Sequence, residues 1–354
     1  RIILVDRQAN HVFAPSFLWM MLGWREPQEI TRSLERLGRK GIEVVQEEIL
    51  EIDPLRRRVK TERQMIACDY LVVSLGAQTW AAGIPGLAEA GHNLYDLAGT
   101  LALRSALGQF REGRVAVLIA GVPFKCPAAP YEAAMLLEAS LRQRRLRDRA
   151  RVDLYTPEAL PMPVAGPALG EAVKAMVEAK DIGFHPQHKL AQVDAARREL
   201  AFDSGVRAGY DLLVVIPPHR CPPVVKDAGL AGETGWVPVD KGTLETAHER
   251  VFAIGDVTAI KLPVGLMLPK AGVFAHAEAE VVAHNIAAQI QGHGAPARFD
   301  GVGYCFVEMG DGIAAYAKGN FYGEPAPAVR LRSPSRLWHW GKIYFEKWWL
   351  RRWF

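Results

Sequence analysis

The sequence predicts an α/β protein made of two Rossmann-like domains, the second inserted into the first. Two short apolar runs, Arg1–Asp6 and Tyr70–Gln78, are typical of buried parallel strands. The segment from Arg114 onward reads as strand, loop, helix and strand, which predicts a βαβ unit. A weak internal repeat supports a duplication, because YDLLVVIPP from Tyr210 has the pattern of CDYLVVSLGA from Cys68. Two similar halves predict two dinucleotide-binding folds.

The first predicted fold begins with the strand that ends at Asp6. Helical spacing follows over residues 28–41, and two antiparallel strands then turn at Asp53 and Pro54. A Rossmann fold normally starts with a strand, a glycine-rich loop and a helix, whereas this sequence opens on what looks like the second strand. We therefore expect the first glycine loop to lie before residue 1. Asp6 then stands where an acid would hold the adenosine ribose hydroxyls.

The second predicted fold includes a helix at about Leu101–Phe110 and the strands at Arg114–Gly121 and Tyr210–Pro218. The segment VFAIGDVTA, residues 251–259, returns the chain to the first fold, and a long helix follows over Gly272–Gln291. The predicted domains are therefore residues 1–98 with 235–298 for the first fold, and 99–234 for the second. Residues 299–354 are expected to form a small sheet and a C-terminal helix.

The composition limits the classes of protein. The chain has 354 residues, of which 49% are hydrophobic and 23% charged, and this excludes disordered, collagen-like and coiled-coil proteins. The net charge of +4 is too small to indicate nucleic acid. No apolar run reaches the roughly 18 residues of a transmembrane helix. The cysteines are too scattered for a disulfide scaffold and contain no CxxC pair for a metal such as zinc; they are Cys68, Cys126, Cys221 and Cys305.

The segment VFAIGDVTA carries the clearest chemical motif. Gly255 lets the backbone approach a cofactor closely, and Asp256 can accept a hydrogen bond from a ribityl hydroxyl or lie beside a pyrophosphate. The SLGA turn after the earlier strand predicts a second contact, through Ser74, Gly76 and Ala77. The motif resembles the flavin-binding motif of glutathione-reductase-like flavoproteins, which implies FAD as the cofactor.

The long helix after Pro269 predicts a third contact. Its free N–H groups and partial positive charge would face the ligand, and Lys270 and Ala271 stand just before it. The resemblance implies that this end lies at the pyrimidine edge of the flavin, where it would stabilise the anionic reduced form. Lys270 would add a full charge; the alternative is a solvated lysine at a helix start.

The loop after the strand Arg114–Gly121 departs from a nicotinamide-binding loop. It reads GVPFKCPAAPYEAA, and its three prolines lack the N–H groups that would hold a phosphate. This half is therefore predicted not to bind a nicotinamide nucleotide. Cys126 precedes a helix and follows Lys125, and both neighbours favour a thiolate. A redox role is predicted for Cys126, and the alternative is an inert buried thiol.

FKCPAAPYEAA and DGVGYCFVEMGDGIAA resemble the cysteine segments of the sulfide:quinone oxidoreductase and flavocytochrome c sulfide dehydrogenase family, and PPHRCPPVV also fits. The match runs over nearly the whole chain. The resemblance implies that Cys126 and Cys305 flank the flavin as a disulfide or polysulfide bridge, which sulfide attacks before two electrons pass to the flavin. Glu132 and His219 are candidate proton carriers for sulfide.

The remaining cysteines have weaker assignments. Cys68 lies just before a buried strand and is interpreted as structural, and Cys221 is a less favoured third redox thiol. Some family members attach flavin through a cysteine near the N-terminal acid. No cysteine stands between residues 7 and 60, so non-covalent FAD is predicted.

The C-terminal segment 335–354 is basic and rich in tryptophan. On a helical wheel the polar residues His339, Lys342, Glu346, Lys347 and Arg351 cluster on one side. Trp338, Phe345, Trp348 and Trp349 lie mostly opposite or at the flank. Such a helix suits a membrane interface, and the resemblance implies a monotopic enzyme that takes quinone from the bilayer. The alternatives are docking on the body or on a dimer mate. The sequence does not indicate the membrane side or the oligomeric state.

Three rival functions remain at this point. A flavoprotein subunit could pass the electrons to a cytochrome instead of quinone. A type II NADH dehydrogenase shares the fold, the flavin and the tail, but needs a glycine loop where GVPFKCPAAP stands. A non-enzymatic interaction domain without FAD is the third. Flavin absorbance separates the interaction domain from the enzymes. Anaerobic bleaching of the flavin by sulfide or by NADH separates the sulfide-oxidising enzyme from the NADH dehydrogenase.

Overall fold

The computed structural model describes residues 1–354 as an α/β protein. Its first part contains the elements β1 (Ile2–Asp6), β2 (Asn10–Val12), α1 (Phe17–Met20), α2 (Pro27–Ile30), β3 (Thr31–Ser33), β4 (Ile42–Gln46), β5 (Ile49–Asp53), β6 (Arg58–Thr61), β7 (Met65–Ala67), β8 (Leu71–Val73), β9 (Gln78–Thr79), α3 (Leu87–Ala90) and β10 (His92–Asn93). Strands β1 and β4 pair in parallel, in register from Ile2 with Ile42 to Asp6 with Gln46. Strands β5, β6 and β7 form an antiparallel meander, as the turn at Asp53 and Pro54 predicts.

The helix predicted over residues 28–41 is wrong. Only Pro27–Ile30 is α-helical, Thr31–Ser33 pairs with β2, and Leu34–Lys40 is a 3-10 helix. The pairing with β2 fixes extended backbone in the middle of the helical pattern, so a tertiary contact overrides the local spacing.

The central part is built on a five-stranded parallel sheet. Its elements are α4 (Leu97–Gln109), β11 (Gly113–Ile119), α5 (Ala129–Gln143), β12 (Ala150–Tyr155), α6 (Pro167–Glu178), β13 (Gly183–His185), β14 (Leu190–Asp194), β15 (Glu199–Phe202), β16 (Arg207–Gly209), β17 (Leu212–Ile216), β18 (His219–Arg220) and α7 (Pro223–Asp227). The sheet order is β10-β17-β11-β12-β13, with every pair parallel. Residues Val115–Ile119 are fully buried because helices such as α5 cover one face of β11 and the β14–β16 sheet covers the other.

The last part returns to the first sheet and ends on a helix. Its elements are β19 (Val237–Pro238), β20 (Val251–Ala253), β21 (Thr258–Ala259), α8 (Gly272–Gln291), β22 (Val302–Gly310), β23 (Ile313–Asn320), β24 (Ala328–Ser335) and α9 (Arg336–Trp353). Strand β20 pairs in parallel with β8. Segments that precede and follow the central part in the sequence therefore belong to the same sheet. The bounds of α8 coincide with the predicted helix.

Helix α9 turns part of the polar side of its helical wheel toward the protein, while Lys347 and Arg351 on that side stay exposed. Lys342 and Glu346 are buried, whereas Leu337, Trp340 and Tyr344 are 65–70% exposed. The inward side is tolerated because each buried charge meets an opposite one: Arg25 binds the Glu346 carboxylate at 2.9 Å, and Lys342 is paired as described below. None of the helices has both the length and the hydropathy to cross a bilayer.

Candidate active site

A cavity of about 830 Å³ lies at the carboxyl end of β11 between the central sheet, α8, β22 and α9. Most of its lining is apolar, and a few polar groups converge on it. The predicted site residues that line it are Cys126, Cys305, Glu132, Asp256, Lys270 and Ala271. Gly255, Ser74, Gly76, Ala77 and Asp6 do not line it.

Cys126 is fixed by hydrogen bonds on both sides of its peptide. Its backbone is left-handed, with φ of +50°, a conformation that costs a non-glycine residue about 1 kcal/mol. Its N–H donates to the Lys270 carbonyl at 2.7 Å. Its carbonyl accepts from the Ala129 N–H at 3.0 Å and the Tyr95 hydroxyl at 3.2 Å. The loop is therefore tied to the segment before α8 and to the first turn of α5.

Cys305 reaches the same cavity from the sheet on the other side. It lies in β22, and its thiol donates to the Phe306 carbonyl at 3.2 Å. Burial, then Glu132 and then the neighbouring Cys126 raise the pKa of Cys305. Topology thus brings together two cysteines that are 179 positions apart in the sequence, and both are free thiols in this structure.

Burial, rather than the helix terminus, dominates the titration of both thiols. Desolvation and then Glu132 raise the pKa of Cys126 to about 12, while Lys342 and the Ala129 N–H lower it. Desolvation and then Glu132 also raise the pKa of Cys305 well above its ordinary value. The expectation that α5 and Lys125 favour a thiolate at Cys126 is therefore wrong for this structure, because the apolar surroundings outweigh them.

A buried ion pair stands beside the two thiols. Glu132, which is 1% exposed, accepts hydrogen bonds from the Lys342 ammonium at 2.7 Å and the Glu308 N–H at 2.9 Å. His339 continues this network, since its Nδ1 lies 3.0 Å from both oxygens of Glu308. Burial opposes the charge on Lys342, but Glu132 and Glu308 outweigh it and raise the pKa of the lysine. Lys342 is therefore a fixed cation next to the cysteines.

Sequence reasoning does not find Lys342 as a site residue. It assigns the lysine to the outer, polar side of a membrane helix, and only the packing of α9 against β22 and β23 turns Lys342 inward. Glu158 is a second residue of the cavity lining that the sequence did not predict. Its pKa is raised to about 7 by burial, against the hydrogen bond that the Tyr131 hydroxyl donates at 3.1 Å.

The turn Gly255–Val257 contributes another part of the cavity wall through Asp256. Gly255 has φ of +72°, and its N–H donates to the Glu278 carboxylate at 2.6 Å. A methyl group there would lie 3.0 Å from the Ala275 side chain, so only glycine fits without a shift. Burial raises the pKa of Glu278 to about 7. The turn is thus held against α8 at its first residues.

Lys270 is held beside this turn. Its ammonium donates to the Asp256 carbonyl at 2.6 Å and the Thr258 carbonyl at 3.1 Å, and it lies 3.4 Å from the centre of the Trp236 ring. Burial lowers the pKa of Lys270 to about 8, although the carboxylate of Asp256 opposes this. Lys270 is therefore a buried lysine in the wall, not a solvated one.

The residues around the Gly255 turn fit a flavin. The carboxylate of Asp256 lines the cavity and accepts no hydrogen bond from the protein. The N-cap residue of α8, Ala271, makes no side-chain cap, so the first N–H groups of the helix remain for a ligand. Residues 74–77 follow β8, which is paired with β20, and the Ile254 N–H donates to the Val73 carbonyl at 3.0 Å. Both predicted flavin turns thus leave the same sheet edge.

The predicted ribose-binding acid, Asp6, lies at the end of β1. Its carboxylate accepts a hydrogen bond from the Gln8 N–H at 2.8 Å.

The other candidates lie outside the cavity. Cys221 is buried in a separate apolar cluster, and the Cys68 thiol donates to the Arg57 carbonyl at 3.3 Å. His219 is buried with its Nδ1 2.9 Å from the Pro217 carbonyl, and burial followed by Lys125 lowers its pKa to about 4. His219 is therefore neutral at pH 7 and does not reach the cavity.

The comparison with protein families gives one match. The model of the pyridine nucleotide-disulphide oxidoreductases matches residues 1–279. Among individual proteins, the mitochondrial sulfide:quinone oxidoreductase of Mus musculus is 28% identical over 271 residues, which are 73% of this chain and 60% of the mouse protein. That of Dictyostelium discoideum is 27% identical, and the match covers 59% of it. The chain thus spans about three fifths of these two relatives.

The sulfide-quinone reductase of Aquifex aeolicus is 26% identical over 99% of this chain and 84% of its own length. The crystal structure of the sulfide:quinone oxidoreductase from Aquifex aeolicus superposes with a TM-score of 0.89, at 23% identity, over 99% of this chain and 85% of that one. A ferredoxin reductase from Rhodopseudomonas palustris superposes with a TM-score of 0.70, at 20% identity, over 90% of this chain and 76% of that one. The predicted fold of two Rossmann-like domains is confirmed.

Proposed function

Because this chain belongs to the pyridine nucleotide-disulphide oxidoreductase family, we propose that it oxidises sulfide through Cys126 and Cys305 and passes the electrons by way of FAD to a quinone. Family membership makes it an oxidoreductase with FAD as its cofactor. The observation that carries the proposal is the meeting of the two cysteines in one apolar cavity, at the place where a nicotinamide-binding protein has its phosphate loop. Relatives named for sulfide and quinone support it.

The chemistry of the cysteines follows thiol–disulfide exchange. In the oxidised enzyme the two sulfurs are joined; hydrosulfide attacks one of them, forms a new S–S bond to it and releases the other as a thiolate. Each sulfur atom that leaves at the zero-valent level gives up two electrons and one proton. When bound, FAD accepts these two electrons and delivers them to the quinone. Glu132, which lines the cavity, accepts the proton, and Lys342 stabilises the released thiolate.

The wall next to the Cys126 loop supplies positive charge. Lys270 and the free N–H groups at the start of α8 converge on the cavity there, and Asp256 and Ala271 would hold the flavin chain. No protein group neutralises Lys270 directly, because its two hydrogen-bond partners are carbonyls. This wall therefore favours an anionic reduced cofactor.

A quinone suits the end of the cavity formed by α9. Phe345 and Trp349 line it there, while Leu337, Trp340 and Tyr344 project from another side of the same helix. An apolar ring can enter past such residues, and exposed aromatic and aliphatic side chains suit the interface of a bilayer. These features favour quinone over a cytochrome, and they support a peripheral or monotopic position on a membrane.

The test is anaerobic reduction of the flavin by sulfide, followed by its absorbance. Cys126→Ser and Cys305→Ser should each slow rapid reduction by at least about 100-fold, because exchange needs both sulfurs. Cys221→Ser and Cys68→Ser are matched controls outside the cavity and should reduce like the parent protein. Rapid reduction in both cavity variants would exclude the thiol mechanism. Bleaching by NADH but not by sulfide would replace it with an NADH dehydrogenase.

A further inference from the structure

A second cavity, about 560 Å³, opens at the amino edge of the central sheet. Its walls come from the starts of β11 and β12, the residues just before β17, and the turn between β14 and β15. Cys126 follows the carboxyl end of β11, so the two cavities lie at opposite edges of the sheet, about 20 Å apart along the seven residues of this strand. Five arginines line the second cavity, and we call it the arginine cavity; they are Arg114, Arg149, Arg151, Arg197 and Arg198.

Most of this positive charge is unpaired. Arg114 binds Asp153 at 3.1 Å, and Arg197 approaches Asp194 at 3.8 Å. The other three lack an acidic partner within ion-pair distance; they are Arg149, Arg151 and Arg198. The lining includes a single acid, Asp211, whose carboxylate accepts the Arg114 N–H at 2.7 Å. Arg149, Arg151 and Arg198 thus line an open cavity as exposed, unpaired cations, with Asp211 as the one acid among the lining residues.

A buried hydroxyl in the same lining also lacks a partner. Tyr210 is 6% exposed, packs in the apolar cluster with Leu200 and Phe202, and its hydroxyl makes no hydrogen bond. Burial raises the pKa of Tyr210, and the charge of Arg198 lowers it in part. A buried hydroxyl without a partner costs free energy, and this one is closed off from solvent in the free protein, so a ligand oxygen in the arginine cavity would supply its missing acceptor only after the lining shifts.

We propose that the arginine cavity binds a soluble polyphosphate or an organic phosphate ester with two or more phosphate groups. The planar forks of Arg149, Arg151 and Arg198 match phosphate oxygens, and three unpaired cations require a ligand with several negative charges. The Tyr210 hydroxyl donates to one of these oxygens. The site is separate from the cysteine cavity and independent of the proposed oxidation of sulfide.

Calorimetric titration of the full-length, FAD-loaded protein with inorganic tripolyphosphate tests this site. The variant Arg149→Gln/Arg198→Gln should bind at least tenfold more weakly, and fold normally because neither side chain has an ion-pair partner. The matched control Arg36→Gln/Arg39→Gln removes the same charge from two exposed arginines outside the cavity and should bind within twofold of the parent. Equal weakening in both variants would show diffuse attraction and overturn the proposal.

Two further arms identify the ligand. Orthophosphate should bind at least tenfold more weakly than tripolyphosphate, and equal affinity would exclude a polyphosphate site. Vesicles with and without phosphatidylinositol bisphosphate test the lipid headgroup as a source. Binding to the vesicles that depends on Arg149 and Arg198, without binding of tripolyphosphate, would overturn the assignment to a soluble ligand.

Tyr210→Phe separates a ligand contact from a packing role. This variant should bind tripolyphosphate several-fold more weakly, yet unfold at the same or a higher temperature without it, because an unpartnered hydroxyl is removed. Unchanged affinity would remove the tyrosine from the site. Reduction of the flavin by sulfide should stay normal in all these variants, so the outcome does not depend on the proposed sulfide activity.

Discussion

Two loops that follow parallel strands adjoin in the wall of the cysteine cavity, and they differ in chemical character. After β20, the turn at Gly255 leaves the first N–H groups of α8 open and keeps Lys270 on carbonyl partners alone. After β11, the turn is filled with prolines, holds Cys126 in a left-handed conformation, and leads to Glu132 paired with Lys342. The segment after β20 therefore forms the proposed cofactor-binding wall, and the loop after β11 forms the adjoining wall that carries Cys126.

The two buried lysines express this difference most clearly. Lys342 pairs with a carboxylate, which raises its pKa, whereas Lys270 donates hydrogen bonds only to carbonyls, and burial lowers its pKa to about 8 despite the charge of Asp256. One lysine is a permanent cation, and the other titrates close to neutral pH. The pairing of each lysine thus decides whether the charge of its wall depends on pH.

The largest expected effect comes from Lys342→Met. Removing the lysine leaves the Glu132 carboxylate buried without its partner, which should lower the free energy of unfolding by about 3–5 kcal/mol. Denaturant unfolding measures this. The double variant Lys342→Met/Glu132→Gln is the control and should recover a large part of the loss. A single variant as stable as the parent would mean that the pair carries no charge.

The next effect concerns the pH dependence of Lys270. Because its pKa is lowered when folded, the unfolded chain binds more protons between about pH 8 and the ordinary lysine value. The parent protein should therefore gain stability relative to Lys270→Met as the pH rises through this window, by about 1–3 kcal/mol. Below pH 8 the difference should be constant. Denaturant unfolding at pH 7 to 10 measures it, and a flat difference throughout would contradict the lowered pKa.

Gly255→Ala probes the cofactor wall with a smaller effect. The new methyl group meets Ala275 at 3.0 Å and the backbone has positive φ, so about 1–2 kcal/mol of stability and part of the bound FAD should be lost. Gly235→Ala has nearly the same φ with open space around it, and isolates the backbone contribution. Equal losses in the two variants would show that the contact with Ala275 is unimportant.

The smallest expected effect is at the sulfur wall. Cys126→Gly should be up to about 1 kcal/mol more stable than Cys126→Ala, because glycine adopts the φ of +50° without strain. Both should fail in rapid flavin reduction. Thermal unfolding of the pair measures the difference; a less stable glycine variant would show that the hydrogen bonds at residue 126 fully offset the strain.

The sequence predicted those parts of the structure that are determined by residues close together in the chain. The long helix Gly272–Gln291, the parallel strand β11 and the proline-rich loop at Cys126 all follow from runs of neighbouring residues. Residues 28–41 failed because pairing with β2 interrupts their helical spacing. The titration of Cys126 was wrong because burial comes from segments far along the chain, and a helical wheel could not show which side of α9 meets Glu132, 210 positions away.

Helix α9 has a further consequence for how the protein operates. One side of this helix closes the cysteine cavity with Lys342, Phe345 and Trp349, while Leu337 and Trp340 point outward. The same helix therefore carries both the exposed apolar residues and part of the cavity wall. If α9 separated from the body of the protein, solvent would enter the cavity and Glu132 would lose its cationic partner.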